Sequence, residues 1–160
     1  MAAFDQRLAS SLRNKWKLRL WMLRRLPMGL ASGMYISELD EDHCTVVLQD
    51  RWWIRNPFNS VFWAVMSMAA ELSTGALVFA YGRPGNMQFI LVGFEAKFLK
   101  KAKGKSFYFC RAGKEVERAI SNNMNNPAPS SIIMPVLAQD ESGQVLAEFI
   151  CYWQLRKPIT

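Results

Sequence analysis

The most distinctive pattern in the chain is a long apolar stretch. Between Arg55 and Arg83 lie twenty-seven residues, of which only Glu71 is charged. About 20 apolar residues are enough to cross a membrane. A carboxylate in the middle of a lone span is costly, however, and the stretch also contains polar side chains: Asn56, Asn59, Ser60, Ser67, Ser73 and Thr74. The pattern therefore predicts a helix over about residues 58–81 that is buried nearly all round.

The segments that flank this helix have the two-residue period of strands. Residues 87–99 alternate most clearly, and Lys103-Gly104-Lys105 and Asp140-Glu141-Ser142-Gly143 are typical of hairpin turns. A short helix is predicted over 114–124. The predicted strands cover residues 30–39, 43–50, 87–99, 106–112, 131–139 and 145–156. This order indicates an α+β fold in which an antiparallel sheet of five to six strands wraps around the long helix.

Residues 4–26 predict an added N-terminal helix, which Pro27 and Gly29 would end. Its apolar side chains recur at steps of four and three residues, on one predicted stripe: Phe4, Leu8, Leu12, Trp16, Leu20 and Leu23. We therefore divide the chain into an amphipathic helix, residues 1–27, and one domain, residues 28–160. Two interpretations of the helix remain open. It lies on the body of the protein, or it is attracted to an acidic membrane surface or a partner.

The basic charge belongs almost entirely to that helix. The chain has a formal net charge of +7, and residues 1–30 contain seven bases and one acid. The remaining 130 residues have a formal net charge of only +1. A nucleic-acid-binding protein more often spreads its bases over a folded groove. We therefore expect no nucleic-acid partner.

The residues that commonly build metal, disulfide or cofactor sites are sparse. Three cysteines at wide spacing (Cys44, Cys110 and Cys151) indicate free thiols in a reducing cytoplasm. The single histidine, His43, follows an acidic turn. Phosphate-binding and dinucleotide-binding glycine motifs are absent. The sequence predicts no metal ion and no cofactor.

Glu71 is the one candidate for chemistry inside the apolar stretch. A carboxylate among apolar neighbours loses hydration, so it is expected to be partnered, raised in pKa, or functional. One interpretation is a structural glutamate whose oxygens are capped at a subunit contact. The other is a general base or nucleophile for acyl transfer.

The segment from Arg51 to Glu71 resembles a stretch of the hotdog-fold acyl-CoA thioesterases. In those enzymes an Asn begins a turn, His-Gly-Gly opens the central helix, and an acid follows about two turns later. Counted from Asn56, Phe62-Trp63-Ala64 fall on His-Gly-Gly and Glu71 falls on the acid. Residues 28–158 also resemble an uncharacterised thioesterase-like branch of this superfamily.

The resemblance implies a homodimer, or a tetramer built from dimers, with its active sites between subunits and an acyl-CoA or other acyl thioester as substrate. Glu71 would be the base or nucleophile, and Asn56 would orient the reacting groups. The backbone N–H of Trp63 would polarise the carbonyl oxygen. The same segment supplies the candidate substrate-binding residues, which are Asn59, Ser60, Phe62, Trp63 and Ala64.

The segment departs from the thioesterase pattern at the start of the helix. Phe62 replaces the histidine, and Trp63 and Ala64 replace two glycines that allow close approach of a ligand. Phe62 and Trp63 are either buried aromatics at a dimer seam or walls of an acyl pocket. Two functions follow. One is hydrolysis of an acyl thioester, and the alternative is a non-catalytic protein that binds acyl or lipid ligands.

Overall fold

The computed structural model describes residues 2–125 and 128–157. Five α-helices and six strands are found in these two ranges. They are α1 (Gln6–Arg13), α2 (Lys15–Arg25), α3 (Pro27–Ser32), β1 (Tyr35–Leu39), β2 (Cys44–Gln49), α4 (Trp63–Gly82), β3 (Gln88–Phe98), β4 (Lys105–Cys110), α5 (Gly113–Asn125), β5 (Ser130–Asp140) and β6 (Val145–Arg156). Short 3-10 turns at Trp52–Ile54 and Arg83–Gly85 precede and follow α4.

All six strands form one sheet in the order β1-β2-β4-β5-β6-β3, and every neighbouring pair is antiparallel. The sheet curves around α4, which confirms the predicted α+β hotdog fold. The predicted β1–β2 and β5–β6 hairpins are also confirmed.

The predicted hairpin between β3 and β4 is wrong. Strand β3 pairs with β6 instead, with Leu91 opposite Trp153 and Glu95 opposite Ile150. The chain after β3 crosses to the middle of the sheet, where the amide of Val61 donates to the Ala102 carbonyl at 3.0 Å. As a consequence β3 is an edge strand eleven residues long.

Helix α4 begins five residues later than the predicted position 58. The Asn56 side-chain oxygen accepts from the amides of Phe58 and Ser60, which fixes a turn there. The Phe62 amide then donates to the Ile54 carbonyl at 2.8 Å, so the backbone stays extended up to Phe62. Helical structure starts only at Trp63, where these contacts end.

Helix α4 is buried on one face and open on the other, so the prediction of burial nearly all round is wrong. Ala69, Ser73 and Leu77 are fully covered by the sheet. Trp63 and Glu71 are exposed, and the open face continues along half-buried residues: Ala64, Met68, Leu72, Gly75 and Phe79. The stretch 63–85 is long and apolar enough to span a membrane, but half of its most apolar window is buried inside the protein. It is the central helix of the fold.

The N-terminal region is three helices rather than the predicted single helix over 4–26. Asn14 ends α1, and its side-chain oxygen accepts from the Trp16 and Lys17 amides to cap α2. This break rotates the apolar stripe, because the residues after Asn14 start a new helix in a new direction. Leu18 and Met22 of α2 are buried, whereas three residues of the predicted stripe are exposed: Trp16, Leu20 and Leu23.

The connection from α2 to the sheet also differs from the prediction. Pro27 does not end a helix but begins one, because its fixed φ and missing N–H suit the first helical position. Helix α3 ends at Gly33, whose φ of 76° lies in the left-handed region that glycine adopts readily. Strand β1 therefore starts at Tyr35, not at residue 30.

Candidate active site

A groove opens along the uncovered face of α4 and has a cavity volume of about 300 Å³. Met68, Leu72 and Gly75 of α4 line one side, together with Glu71. The N-terminal helices form the opposite wall, and β3 and β6 form the floor. The residues on those elements are Leu12, Trp21, Arg25, Leu26, Phe89 and Trp153. The size and apolar lining suit a small ligand with a hydrocarbon portion.

Glu71 places a carboxylate in this apolar lining. Glu71 as a whole residue is exposed on the single protomer. Neighbouring atoms nevertheless keep part of the solvent away from its carboxyl group, and this partial burial raises the pKa of that group. Within residues 2–125 and 128–157, no hydrogen bond or ion pair to this carboxylate is found. The glutamate is therefore not capped inside its own protomer, and the structural interpretation, which places the cap at a subunit contact, stays a prediction. A partly desolvated carboxylate with no partner among the described residues is a stronger proton acceptor when ionised than a fully hydrated one.

The helix next to Glu71 is held against β6 by a short relay of hydrogen bonds. The Trp153 indole N–H donates to the Thr74 hydroxyl at 2.9 Å, and this hydroxyl donates to the Glu71 backbone carbonyl at 2.9 Å. Phe89 packs edge-on against the Trp153 ring, with 6.0 Å between ring centroids. Gly75 lies over Trp153 and leaves the groove open beside the carboxylate. These contacts fix the floor of the groove.

Asn56 stabilises the turn before α4. Its side-chain oxygen accepts from the Phe58 amide, the Ser60 amide and the Ser60 hydroxyl at 3.0–3.3 Å. Ser60 is buried by this arrangement. Asn59 has a φ of 59°, in the left-handed region, and its side-chain oxygen lies 3.4 Å from Arg55 Nη1. These contacts show that Asn56, Asn59 and Ser60 stabilise the turn.

Phe62, Trp63 and Ala64 lie at the N-terminus of α4. The first amides that bond within the helix belong to Val65 and Met66, which donate to the Phe62 carbonyl. The Trp63 and Ala64 amides are first-turn donors without a partner in the helix. The Phe62 and Trp63 rings pack edge-on with 5.6 Å between centroids, and both are exposed on the protomer. These rings are not buried aromatics within one subunit.

The structure does not bring the predicted site residues together within one protomer. Trp63 and Glu71 are eight residues apart, which corresponds to about 12 Å along a helix axis. None of the residues from Asn56 to Ala64 lines the groove that contains Glu71. One thioester carbonyl cannot contact the Trp63 amide and the Glu71 carboxylate of the same chain.

Sequence reasoning missed the opposite wall of the groove, which consists of Trp21, Arg25 and Leu26, and its floor, which consists of Phe89 and Trp153 from the sheet. These residues are far apart in sequence and meet only through the packing of α2 and the pairing of β3 with β6. Apart from Arg25, which belongs to a basic segment, these residues are apolar like those of an ordinary core, so no local signal distinguished them.

The three cysteines are not candidate nucleophiles. All are buried, and burial raises the pKa of Cys110 to about 12 and that of Cys151 to about 11. Thiolate, which is the reactive form, is scarce at neutral pH under these conditions. His43 closes the predicted acidic turn, with its Nδ1 3.0 Å from an Asp40 carboxylate oxygen, and lines a different groove from that of Glu71.

Comparison with known proteins identifies a family and several solved structures with the same fold. The family described as a domain of unknown function, DUF4442, matches residues 14–155. No curated protein gives a significant match. A Pseudomonas aeruginosa protein of unknown function, described as a probable thioesterase, is 21% identical with a TM-score of 0.78, over 88% of this chain and 93% of its own.

Two structures described as thioesterases share the fold at lower identity. One from Haemophilus influenzae is 12% identical with a TM-score of 0.69, over 92% of this chain and 93% of its own. A mutant thioesterase from Pseudomonas aeruginosa is 10% identical with a TM-score of 0.69, over 99% of this chain and 97% of its own. Identities this low establish the shared fold alone.

Proposed function

Because the chain belongs to the DUF4442 family and has a thioesterase-like hotdog fold, we propose that it hydrolyses acyl-CoA or another acyl thioester. One observation carries the proposal. Glu71 presents a carboxylate that no described residue pairs with, and whose pKa is raised by partial burial, to an apolar groove large enough for part of an acyl chain. An acyl thioester offers both the hydrocarbon that suits the groove and a carbonyl that a base can help water to attack.

In the proposed reaction Glu71 acts as general base. It takes a proton from a water molecule as the water oxygen bonds to the carbonyl carbon. The tetrahedral intermediate then collapses, the carbon–sulfur bond breaks, and the sulfur leaves with the proton as a thiol. The products are a carboxylic acid and the free thiol. Direct attack by the Glu71 carboxylate, followed by hydrolysis of the anhydride, gives the same products.

The carbonyl oxygen needs a donor in addition to this base, and we propose that a second subunit supplies it. Two surfaces support this proposal, the edge strand β3, whose outer side has no strand partner among the described residues, and the open face of α4. In a two-fold dimer whose α4 helices cross at Ser67, Glu71 lies opposite Trp63 of the partner subunit, because each is four residues from the crossing point. The amide of the partner's Trp63 then stabilises the negative charge on the oxygen.

A panel of acyl-CoA substrates of increasing chain length tests the activity, with thiol release followed by a chromogenic thiol reagent. We expect turnover on at least one chain length. If no chain length releases thiol and a fatty ligand remains bound through purification, the protein is a non-catalytic acyl carrier and the proposal is wrong.

Trp63→Pro tests the role of the Trp63 amide, because proline removes the N–H but fits the first position of a helix. The preceding residue, Phe62, already has φ −65° and ψ 133°, which a following proline permits. We expect kcat to fall by about 10²–10³-fold, as for loss of one oxyanion donor. Trp63→Ala retains the N–H and serves as the matched control, with thermal unfolding showing that both variants fold.

Mixed dimers distinguish a shared site from a site within one chain. A dimer of one Glu71→Gln protomer and one Trp63→Pro protomer contains one intact site if the two groups come from different subunits. Its activity is then about half that of the wild-type dimer, although each variant alone is inactive. Absence of this recovery in verified mixed dimers would exclude the two-subunit arrangement but leave the proposed hydrolysis intact.

A further inference from the structure

Helix α2 has apolar side chains on two opposite sides. Leu18 and Met22 face the core and are buried. Trp16, Leu20 and Leu23 recur at steps of four and three residues, which places them on one stripe of the helix. Between 59% and 78% of the surface of these three side chains is exposed. The buried side anchors the helix to the protein, so the exposed stripe remains for another surface.

The same helix lies in a strongly basic segment. Between Asp5 and Glu38 the chain has seven lysines and arginines and no acidic residue. The ion pairs within residues 2–125 and 128–157 involve none of these seven bases. Lys17, Arg19 and Arg24 of α2 are exposed and lie beside the apolar stripe. The Arg19 guanidinium lies over the Trp16 ring, 5.6 Å from its centroid, but no described acidic side chain forms an ion pair with these bases, so their charge is available to an anionic partner.

We propose that the exposed side of α2 is a docking surface for an anionic lipid bilayer. Tryptophan and leucine side chains enter the boundary between headgroups and acyl chains, while lysine and arginine side chains reach the lipid phosphates. A second copy of the chain fits this surface poorly. A two-fold contact through α2 would place two identical basic segments against each other. The charge pattern therefore favours a bilayer over a self-contact.

Docking through α2 also has a geometric consequence for the groove. Trp21 and Arg25 of α2 line the same groove as Glu71. The helix that contacts the bilayer is thus a wall of the cavity, and the groove lies next to the lipid surface. This inference goes beyond the proposed hydrolysis and does not depend on it, because docking is measured without substrate or turnover.

Vesicle co-sedimentation of the full chain tests the proposal. We expect binding to vesicles of phosphatidylcholine mixed with phosphatidylglycerol, much weaker binding to phosphatidylcholine alone, and weakening as salt screens the charges. Binding to the mixed vesicles should also shift tryptophan fluorescence to shorter wavelength. Because this comparison uses the wild-type protein, it does not depend on whether a variant folds.

Matched variants identify the surface. Leu20→Ser should weaken binding about tenfold, because the variant lacks the apolar side chain that the wild-type protein transfers from water into the bilayer. Ile133→Ser, at a similarly exposed residue on β5, should change nothing. Substitution of Lys17, Arg19 and Arg24 by glutamine should weaken binding about 100-fold. The charge-matched control replaces three exposed bases outside α2 by glutamine: Arg111, Lys114 and Arg118.

Three results would overturn the proposal. The first is equal binding to vesicles with and without phosphatidylglycerol. The second is unchanged binding after removal of the three α2 bases. The third is a Leu20→Ser protein that dissociates into smaller species in light scattering without lipid, since the stripe would then be a contact between copies of the chain.

Discussion

Glu71→Gln is expected to lower kcat for thioester hydrolysis by about 10²–10⁴-fold, the usual loss when a general base is removed. Glutamine has nearly the same shape but cannot accept the proton from water. The groove and the proposed donor, the amide of the partner's Trp63, are not altered by this substitution, so KM should change far less than kcat. Steady-state kinetics on the best acyl-CoA substrate measure both parameters.

The pH dependence of the wild-type rate provides a second test of the same role. A base acts only when ionised, so kcat/KM should fall as the pH falls through the Glu71 pKa. Partial burial raises this pKa above the ordinary value of 4.5. The acidic limb of the profile should therefore lie above 4.5. An acidic limb at or below the ordinary carboxyl range would contradict Glu71 as the base.

Glu71→Gln should not lower the free energy of unfolding, although it lowers the rate of hydrolysis. A carboxyl group with a raised pKa in the folded state stabilises the fold when protonated, and this contribution is lost as the pH rises through the folded-state pKa. At neutral pH, Glu71→Gln is thus expected to be at least as stable as the wild type. Glu148→Gln, at an exposed carboxylate on β6, is the matched control and should leave the rate unchanged. A Glu71→Gln protein that retains wild-type kcat would contradict the mechanism.

Gly113→Ala is expected to have the largest effect on stability, a loss of at least about 3 kcal/mol. Gly113 begins α5, and its amide donates to the Asp42 carbonyl at 3.0 Å. An added Cβ would lie 2.7 Å from the Asp42 Cα and still closer to the Glu41 carbonyl oxygen. All of these atoms belong to the backbone of the Glu41–Asp42 turn, so no side-chain rotation relieves the overlap.

The turn against Gly113 cannot move away easily. The Asp40 carboxylate accepts from the Asp42 and His43 amides, and the Tyr81 hydroxyl donates to the Glu41 carbonyl at 2.9 Å. Thermal unfolding should show a fall in Tm of roughly 10 °C for a loss of this size. The control is Gly75→Ala, where the new Cβ meets Trp153 at an ordinary distance of 3.4 Å and alanine favours the helix. Equal Tm values for the two variants would show that the close approach is relieved by movement of the turn.

The sequence predicted the parts of the fold that depend on local patterns. The alternation in 87–99 and the turn after Asp140 were sufficient to place strands, and the uncharged stretch around Glu71 was sufficient to place the central helix. The pairing of β3 with β6 was not predictable in this way, because it joins segments whose register depends on the whole sheet. A tight glycine-containing turn before β4 suggested a hairpin that the chain does not form.

The part of the site that could be predicted is the residue that differs from its neighbours in the sequence. Glu71 stood out because it is the one charge in an apolar stretch, and the structure places it in a groove. The single-helix prediction failed at Asn14, since a side chain that accepts two amide hydrogen bonds can restart a helix with no change in hydrophobic spacing. That restart rotated Trp16 and Leu20 outward, a result that the spacing alone could not show.

The position of β6 in the sheet determines when the groove can exist during synthesis. Strand β6 pairs with both β5 and β3, and its Trp153 forms the floor of the groove beneath α4. Until residues 145–156 have left the ribosome, β3 has no neighbour and α4 has an uncovered apolar side. A nascent chain therefore passes through a stage in which its most apolar helix is made but not yet enclosed. Chaperones that bind exposed apolar segments would find their target between residues 63 and 82 at that stage.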